Sequence, residues 1–337
     1  MPTTLEDIAR ALNVSKMTVS RAINNHPEVS RETRERILAT AQQMNYRPNQ
    51  FARALTTNHS YLIGIVVPDL MHSYFAEICR GVESHARSAG YQNLICNTDE
   101  DFNKEMDEIE ALLSRTDGLI VASASSPRRA QFYKRITAEG VKIVLIDRLL
   151  DGLRCSAVTT DDVAVGVLAT DHLIQLGHRK IGHLRGPAVS TSLDRFQGYS
   201  QSLEKHGLPV NDALVRECGF TEAEGYSATK AWLEDRTVPS AVFAANDPAA
   251  IGAMAALSDA GVSVPDDVAI VGAGSIHYGD MLRVPLTTVS WSTIEMGQAA
   301  ARLLLELIDG RTTQENQHIT VKPELVVRRS CGASKMV

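Results

Sequence analysis

The 337-residue sequence predicts an α/β protein in two parts, a small all-α module followed by a larger domain of alternating strands and helices. Three observations carry this. Apolar residues between positions 4 and 46 recur at helical spacing, and from residue 62 short apolar runs alternate with amphipathic stretches. The charge also divides between the two parts. Residues 1–60 hold eight basic side chains against five acidic ones, so the +3 module precedes a remainder of −9 in a chain of net charge −6. A basic module on an acidic body suits phosphate binding, because Lys and Arg near a polyanion release its counterions.

In the first module, Leu5, Ile8, Ala9 and Leu12 form one helical face, with Thr4 as its N-cap. Asn13 interrupts, a residue that tolerates the left-handed conformation of a tight turn. Ser15 caps a second helix from Lys16 to Ile23, which turns Val19 and Ile23 inward and Lys16, Met17, Ser20 and Arg21 outward. A third helix starts from Ser30 and runs through Arg34, Ile37, Leu38, Ala41 and Met44. Two short helices joined by a turn of about three residues make a helix-turn-helix, whose second helix enters the major groove of DNA. Any three-helix bundle shows such periodicity; the polar, Arg-bearing face of the second helix is what packing alone does not require.

Val14-Ser15-x-x-Thr18-Val19-Ser20-Arg21 and Asn45-Tyr46-x-Pro48-Asn49 are specific signals, and the segment around them resembles the headpiece and hinge of the lactose-repressor/galactose-repressor (LacI/GalR) family. The likeness continues to about residue 330. It implies that Lys16 and Met17 read bases at the start of the recognition helix and that Arg21 makes a third contact. Lys or Arg reaches the guanine acceptors, and Met meets a thymine methyl. Thr4, Ser15, Thr18, Ser20, Asn24, Tyr46 and Asn49 complete the implied DNA surface, the small hydroxyls suiting phosphates, which fix register. Asn49 to Thr57 matches the family's hinge helix, with Ala52 and Arg53 on the groove side and Leu55 as the wedge that kinks the minor groove. A helix this short is marginal without DNA, and a flexible linker is the other reading of 47–60.

In the larger domain, residues 62–67, 93–96, 118–122, 142–146, 180–184, 241–245 and 268–272 read as buried parallel strands, with a further strand at 286–289. Helical stretches lie between them at 74–89, 104–115, 161–176, 193–206, 222–235 and 247–260. So many strands suggest two doubly wound sheets. The resemblance implies a periplasmic-binding-protein-like, two-lobed effector domain with crossovers near 161, 290 and 320. The expected boundaries are a headpiece at 1–46, a hinge at 47–60 and an effector domain at 61–330. Lobe one comprises about 61–160 and 291–320, and lobe two about 161–290 and 321–330.

Carried over position by position, the resemblance implies an effector cleft at the carboxyl ends of the strands. Leu70, His72, Tyr74 and Phe75 come from the loop after the first strand, where common relatives carry Asn-Pro-Phe-Phe. Asp147 and Arg148 follow the fourth strand. Thr191, Arg195, Phe220 as a stacking aromatic, Asn246, Ser275 and Trp291 complete the set. Ser275 lies in Gly272-Ala273-Gly274-Ser275, where sugar-binding relatives carry Gly-Phe-Asp-Asp, and Trp291 replaces a polar residue. These departures predict a more apolar inner wall that leaves Arg148 and Arg195 less neutralised, favouring an effector with an anionic or aromatic portion over a neutral sugar.

The remaining features speak mostly against other classes. Gly272-Ala273-Gly274 has a misplaced third glycine and no acidic partner for a dinucleotide fingerprint. His172, His178 and His183 lack metal-ligand spacing, and Gly177-His178-Arg179 matches a family turn. No Gly-x-Ser-x-Gly, Walker motif or acid/base pair stands out, so nothing asks for an enzyme, a cofactor or a metal. The five scattered cysteines, without a Cys-x-x-Cys pair, suit free thiols in a reducing cytoplasm. The polar start lacks a secretory h-region, and no apolar run reaches the ~20 residues of a membrane span. The expected protein is a cytoplasmic, homodimeric repressor of carbohydrate-related genes. It would bind palindromic double-stranded operator DNA under control of a sugar or sugar derivative. Helix 74–89 and the segment near 276–284 are the candidate dimer surface, and the short tail after residue 330 leaves no room for a heptad-repeat tetramerisation helix. A solute-binding sensor or transporter component of the same fold is the alternative; it has no use for residues 1–60.

Overall fold

The computed structural model describes residues 3–23, 26–46, 59–126, 130–311 and 316–333. The chain divides into two compact units, Met1–Ser60 and Tyr61–Val337.

The first unit contains α1 (Leu5–Leu12), α2 (Lys16–Ile23) and α3 (Arg31–Gln43). Each start is fixed by a local side chain. Thr4 Oγ1 accepts the Asp7 N–H at 3.3 Å while the Thr4 N–H donates to Asp7 Oδ2 at 2.9 Å, a reciprocal capping box. Ser15 Oγ accepts from Thr18 N–H at 3.0 Å, and Ser30 Oγ from Thr33 N–H at 3.3 Å. Asn13 closes α1 at φ 55, the left-handed turn its residue type allows. Ile8, Val19 and Ile37 meet in a dry core. Leu38 departs from its periodic neighbours and stands 46% exposed, because the bundle is too small to cover two adjacent positions of one helix.

The second unit holds two six-stranded sheets. The first has the order β11-β5-β4-β3-β1-β2, all parallel. Its strands are β1 (Leu62–Val67), β2 (Gln92–Asn97), β3 (Gly118–Val121), β4 (Ile143–Ile146), β5 (Ser156–Thr160) and β11 (His318–Val321). The second contains β6 (Ile181–Arg185), β7 (Val215–Glu217), β8 (Ala241–Ala244), β9 (Ala269–Ala273), β10 (Thr287–Ser290) and β12 (Glu324–Val326). Its order, β12-β10-β9-β8-β6-β7, repeats that of the first, with β12 the antiparallel member. Helices cover both faces: α4 (Ser73–Ser88), α5 (Phe102–Leu113), α6 (Gln131–Ala138) and α11 (Thr293–Ile308) on the first sheet, and α7 (Asp162–Gln175), α8 (Ser190–Lys205), α9 (Glu222–Glu234) and α10 (Asp247–Asp259) on the second. The chain passes between sheets after β5, after β10 and between β11 and β12.

Strands β5, β7, β11 and β12 lie outside the apolar runs of the sequence. β5 is Ser-Ala-Val-Thr-Thr yet wholly buried, and β7 and β12 are three-residue edge strands, too short to show a period. Helices α7 and α8 cross on two glycines. A Cβ at Gly166 would stand 2.2 Å from the Arg195 carbonyl oxygen, and one at Gly198 2.1 Å from that of Val163. This approach sets the first turn of α7 against the Arg195 side chain.

His183 on β6 serves packing. It stacks on Phe243 and Tyr199 at ring distances of 4.8 and 5.1 Å, and its Nδ1–H donates to the Phe243 carbonyl at 2.9 Å. Burial pushes its pKa down to about 4. Between pH 6.5 and 4 the unfolded chain takes up a proton that the folded chain refuses, so this contribution is complete above pH 6.5 and lost as pH falls. Wild type is therefore expected to lose up to about 3 kcal/mol relative to His183→Phe as pH falls across that window; an equal change of thermal midpoint with pH in both proteins refutes the assignment.

Candidate functional site

The outward face of α2 presents Lys16, Met17 and Arg21 to solvent, with Met17 62% exposed, while Val19 and Ala22 fill the core behind. Arg21 is paired with Glu28 at 2.7 Å, both side chains being about half exposed. Such a surface pair is worth less than about 1 kcal/mol, so the guanidinium is readily surrendered to a stronger anion. Thr4 and Ser15 are helix caps, and the Ser15 and Thr18 hydroxyls lie 2.8 Å apart. Their helix N-termini nevertheless offer backbone N–H groups of the kind that bind phosphate. Ser20 is half-buried, and Tyr46 packs on the core of the bundle. Asn24, Asn49, Ala52, Arg53 and Leu55 lie outside the described residues.

In the second unit the carboxyl ends of both sheets converge on a cavity of about 290 Å³. His72, Tyr74, Phe75, Asp147, Arg148, Thr191, Arg195, Phe220, Asn246 and Trp291 all line it. Leu70 and Ser275 do not. Leu70 is an exposed side chain whose N–H donates to Asn97 Oδ1, and Ser275 stands at φ 53 with its N–H on Thr288 Oγ1. Their neighbours Asp69 and Gly274 face the cavity instead. Asp99, Glu100 and Glu224 also line it, none of them expected from the sequence. The acidic triplet Asp99-Glu100-Asp101 at the end of β2 was the available signal.

Asp147 sits in a tight turn at φ 66, closed by the Arg148 N–H to the Ile146 carbonyl at 2.7 Å. Its Oδ1 accepts from the Tyr74 hydroxyl at 2.6 Å, and the Tyr74 hydroxyl oxygen in turn accepts from the Trp291 indole N–H at 3.2 Å. Trp291 follows β10 at the crossover between sheets, so this chain links the crossover to the cavity wall. Burial and the Asp147 charge both hold the Tyr74 phenol well above its ordinary value, protonated and donating. His72 accepts the Tyr74 N–H on Nδ1, capping α4, which leaves Nε2 to carry the proton of a ring that burial keeps neutral.

Each arginine holds a carboxylate, so the expectation that the cleft leaves them less neutralised is corrected; only the Arg148 Nε–H has no hydrogen bond. Glu100 receives both terminal nitrogens of Arg148 at 2.7 Å, and Asp147 Oδ2 lies 3.6 Å from its Nε. The guanidinium also stacks over Phe220 at 5.2 Å and approaches Phe75 at 5.9 Å. Asp162, at the start of α7, accepts from Arg195 Nε at 2.7 Å, and the Ala245 carbonyl takes its Nη1 at 2.6 Å. Burial raises the Asp162 carboxyl against the pull of Arg195. Both carboxylates come from segments far from their arginines in sequence, which is why local patterns did not reveal them.

Other expected features resolve into structure. Asn246 caps α10 through the Ala249 N–H and donates to the Phe220 carbonyl at 2.8 Å, so it orients the aromatic wall. Asp247 is held by the Ile276 N–H and Thr288 hydroxyl, and burial pushes its pKa up to about 6. Gly272 makes room for it, since a Cβ there would stand 2.2 Å from Asp247 Oδ1. That close approach accounts for the glycine of the dinucleotide-like stretch. Gly177 turns at φ 92 ahead of His178, as the turn reading expects. Among the described residues no cluster of ligating side chains forms a metal site.

A helix-turn-helix module followed by two sheets that close on a cavity with aromatic walls and charged side chains is the build of a ligand-responsive bacterial regulator. A family model described as bacterial regulatory proteins, lacI family, matches residues 4–49, and one for a periplasmic binding protein-like domain matches residues 170–331. The chain is 34% identical over 333 residues to the HTH-type transcriptional repressor PurR of Haemophilus influenzae (strain PittEE), covering 97% of this chain and 98% of the relative. It is 33% identical to the ribose operon repressor of Halalkalibacterium halodurans, covering 97% of each. The solved structure of the lac repressor dimer bound to operator and the anti-inducer ONPF superposes with a TM-score of 0.86 at 28% identity, over 98% of this chain and 99% of that one. The chain belongs to the lacI family of bacterial regulatory proteins, whose members in this comparison are repressors and not enzymes.

The buried pair gives a direct test. Asp162→Asn should lower unfolding free energy by about 3 kcal/mol, because it strands a buried guanidinium. Glu83→Gln, which removes the exposed partner of Arg87, should cost less than about 1 kcal/mol. Urea titration followed by circular dichroism separates them, and equal midpoints would show that Asp162 contributes no more than a surface charge.

Proposed function

We propose that the chain is a sequence-specific, DNA-binding transcriptional repressor. In this reading a cytoplasmic homodimer grips a palindromic operator, and its grip is set by a small molecule in the cleft. The observation that carries the reading is the outward face of α2, where Lys16, Met17 and Arg21 stand free of the core on an otherwise acidic chain. Lys16, Met17 and Arg21 read bases; Thr4, Ser15, Thr18, Ser20, Asn24, Tyr46 and Asn49 hold the backbone; Ala52, Arg53 and Leu55 act in the minor groove. The working division is a headpiece at 1–46, a hinge at 47–60 and an effector domain at 61–330. Its lobe one spans about 61–160 and 291–320, and its lobe two about 161–290 and 321–330. The membership of the two sheets supports this division.

The effector is a sugar or sugar derivative acting on carbohydrate-related genes, a reading supported by the ribose operon repressor among the relatives and by a monosaccharide-sized cavity with aromatic walls. Binding shifts the balance between lobe arrangements, and the dimer passes that shift to the hinge. Met71 and Met281, 92% and 79% exposed, lie beside or within the candidate dimer segments, where apolar exposure suits a second copy.

A gel shift on the DNA upstream of the chain's own gene tests the reading. Wild type should retard the fragment at low salt and release it steeply as salt rises. Lys16→Ala should weaken binding by about 1–3 kcal/mol, and Leu55→Ala should weaken it through loss of the wedge. No retardation at low salt, or indifference to both changes, rejects the proposal.

A further inference from the structure

The charge of the cavity wall narrows the class of molecule it accepts. Arg148, 2% exposed, faces two carboxylates, Glu100 on its terminal nitrogens and Asp147 near its Nε. Arg195, 5% exposed, is matched by Asp162 and the Ala245 carbonyl. Three carboxylates therefore surround two guanidiniums, whose terminal nitrogens are held by Glu100, Asp162 and the Ala245 carbonyl, while the Arg148 Nε–H has no hydrogen bond. Lys104 pairs with Asp99 at 2.6 Å on the exposed rim and does not line the cavity. His72 contributes no positive charge, since burial holds its ring neutral with Nε2 as a donor. Asp69 and Glu224 add two more carboxylates to the lining, and their hydrogen bonds run to backbone N–H groups and the Thr221 hydroxyl rather than to a cation.

Within this acidic wall Asp147 is fixed as an acceptor. The Tyr74 hydroxyl, itself held by Trp291, occupies Oδ1, while Oδ2 lies 3.6 Å from the Arg148 Nε without a hydrogen bond to it and is open to a ligand; the left-handed backbone at Asp147 sets the carboxylate at the cavity with 6% exposure. A ligand carboxylate or phosphate placed here meets an excess of negative charge, because carboxylates outnumber cations along the cavity wall and each lining guanidinium is already paired with a carboxylate. An ammonium group meets the pairing that a buried charge requires.

We propose that the effector of this cleft is a compact polyhydroxylated molecule carrying a protonated amine, an amino sugar or amino polyol, with its ammonium on Asp147 Oδ2. Neutral hydroxyls meet the His72 Nε2–H and the apolar ring faces, and anionic derivatives are rejected. The proposal rests on the reading of the cleft as the effector site and supplies its ligand class.

The test uses the full chain and matched hexoses in four forms: the 2-amino-2-deoxy sugars of the gluco, galacto and manno series, their neutral parents, the uronates and the 6-phosphates. Calorimetric titration at pH 6.5 is expected to show at least one amino sugar binding about tenfold or more tighter than its parent, with no binding of the anions. At pH 9 the ammonium is largely deprotonated and the preference should collapse, a readout that needs no variant. Asp147→Asn, checked for folding by circular dichroism, should bring the amine and its parent within about twofold. A uronate or phosphate that outbinds its parent, a preference that survives at pH 9 or in Asp147→Asn, or the absence of amino-sugar binding up to about 10 mM, overturns the proposal. An anion that binds and releases operator DNA overturns the ligand class while leaving the repressor reading intact. A chain that binds an amino sugar but no DNA does the reverse.

Discussion

Two guanidinium groups withdrawn from water set the terms on which the cleft exists. Arg195 lies on α8, and its carboxylate partner Asp162 opens α7 just after the chain has crossed from one sheet to the other. Its other partner is a carbonyl at the end of β8. One side chain thereby ties together a crossover, a helix pair and a strand end of the second sheet. Arg148 does the same on the first sheet, tying the turn after β4 to the loop after β2 through Glu100 and to the Ser123 carbonyl at 3.1 Å. Neither charge tolerates burial without its partners, so the loops that carry those partners are held in place by a desolvation cost of several kcal/mol per ion rather than by apolar contact alone.

The close glycine crossing of α7 and α8 follows from the same requirement. Asp162 reaches Arg195 only if the helix backbones approach closely, and Gly166 and Gly198 permit that approach. Packing and electrostatics are therefore one design here: the small residues set the distance, and the ion pair uses it. The headpiece works at a smaller scale. Its core is a handful of aliphatic side chains, and capping residues such as Thr4 and Ser30 define where its helices begin.

Features set by near neighbours were legible in the sequence. Thr4, Asn13 and Ser30 were readable because a cap or a left-handed turn is decided within four residues. The apolar strands were readable because each is a run of branched side chains. β5 was not, since its Thr-rich sequence is buried only through its place between β4 and β11. Two site assignments slipped by one position, Leu70 for Asp69 and Ser275 for Gly274. Both places are tight bends, with Asp69 Oδ1 accepting the Met71 N–H and Gly274 and Ser275 at positive φ, so the chain turns between neighbours and a shift of one residue exchanges wall for surface. The partners of the arginines were invisible for a different reason: Glu100 and Asp162 lie 48 and 33 residues away in sequence, and only the fold brings them near.

The chain contains two tryptophans, and the fold gives them opposite surroundings. Trp232 is sealed at 0% exposure in the core behind the second sheet, its indole N–H on the Ala213 carbonyl at 3.2 Å. Trp291 lines the cavity with the Arg195 guanidinium 5.2 Å from its ring. One indole is thus an internal optical standard, while the other sits beside a full positive charge on the cavity wall. The same aromatic that shapes the wall would make occupancy of the cavity visible in the protein's own emission.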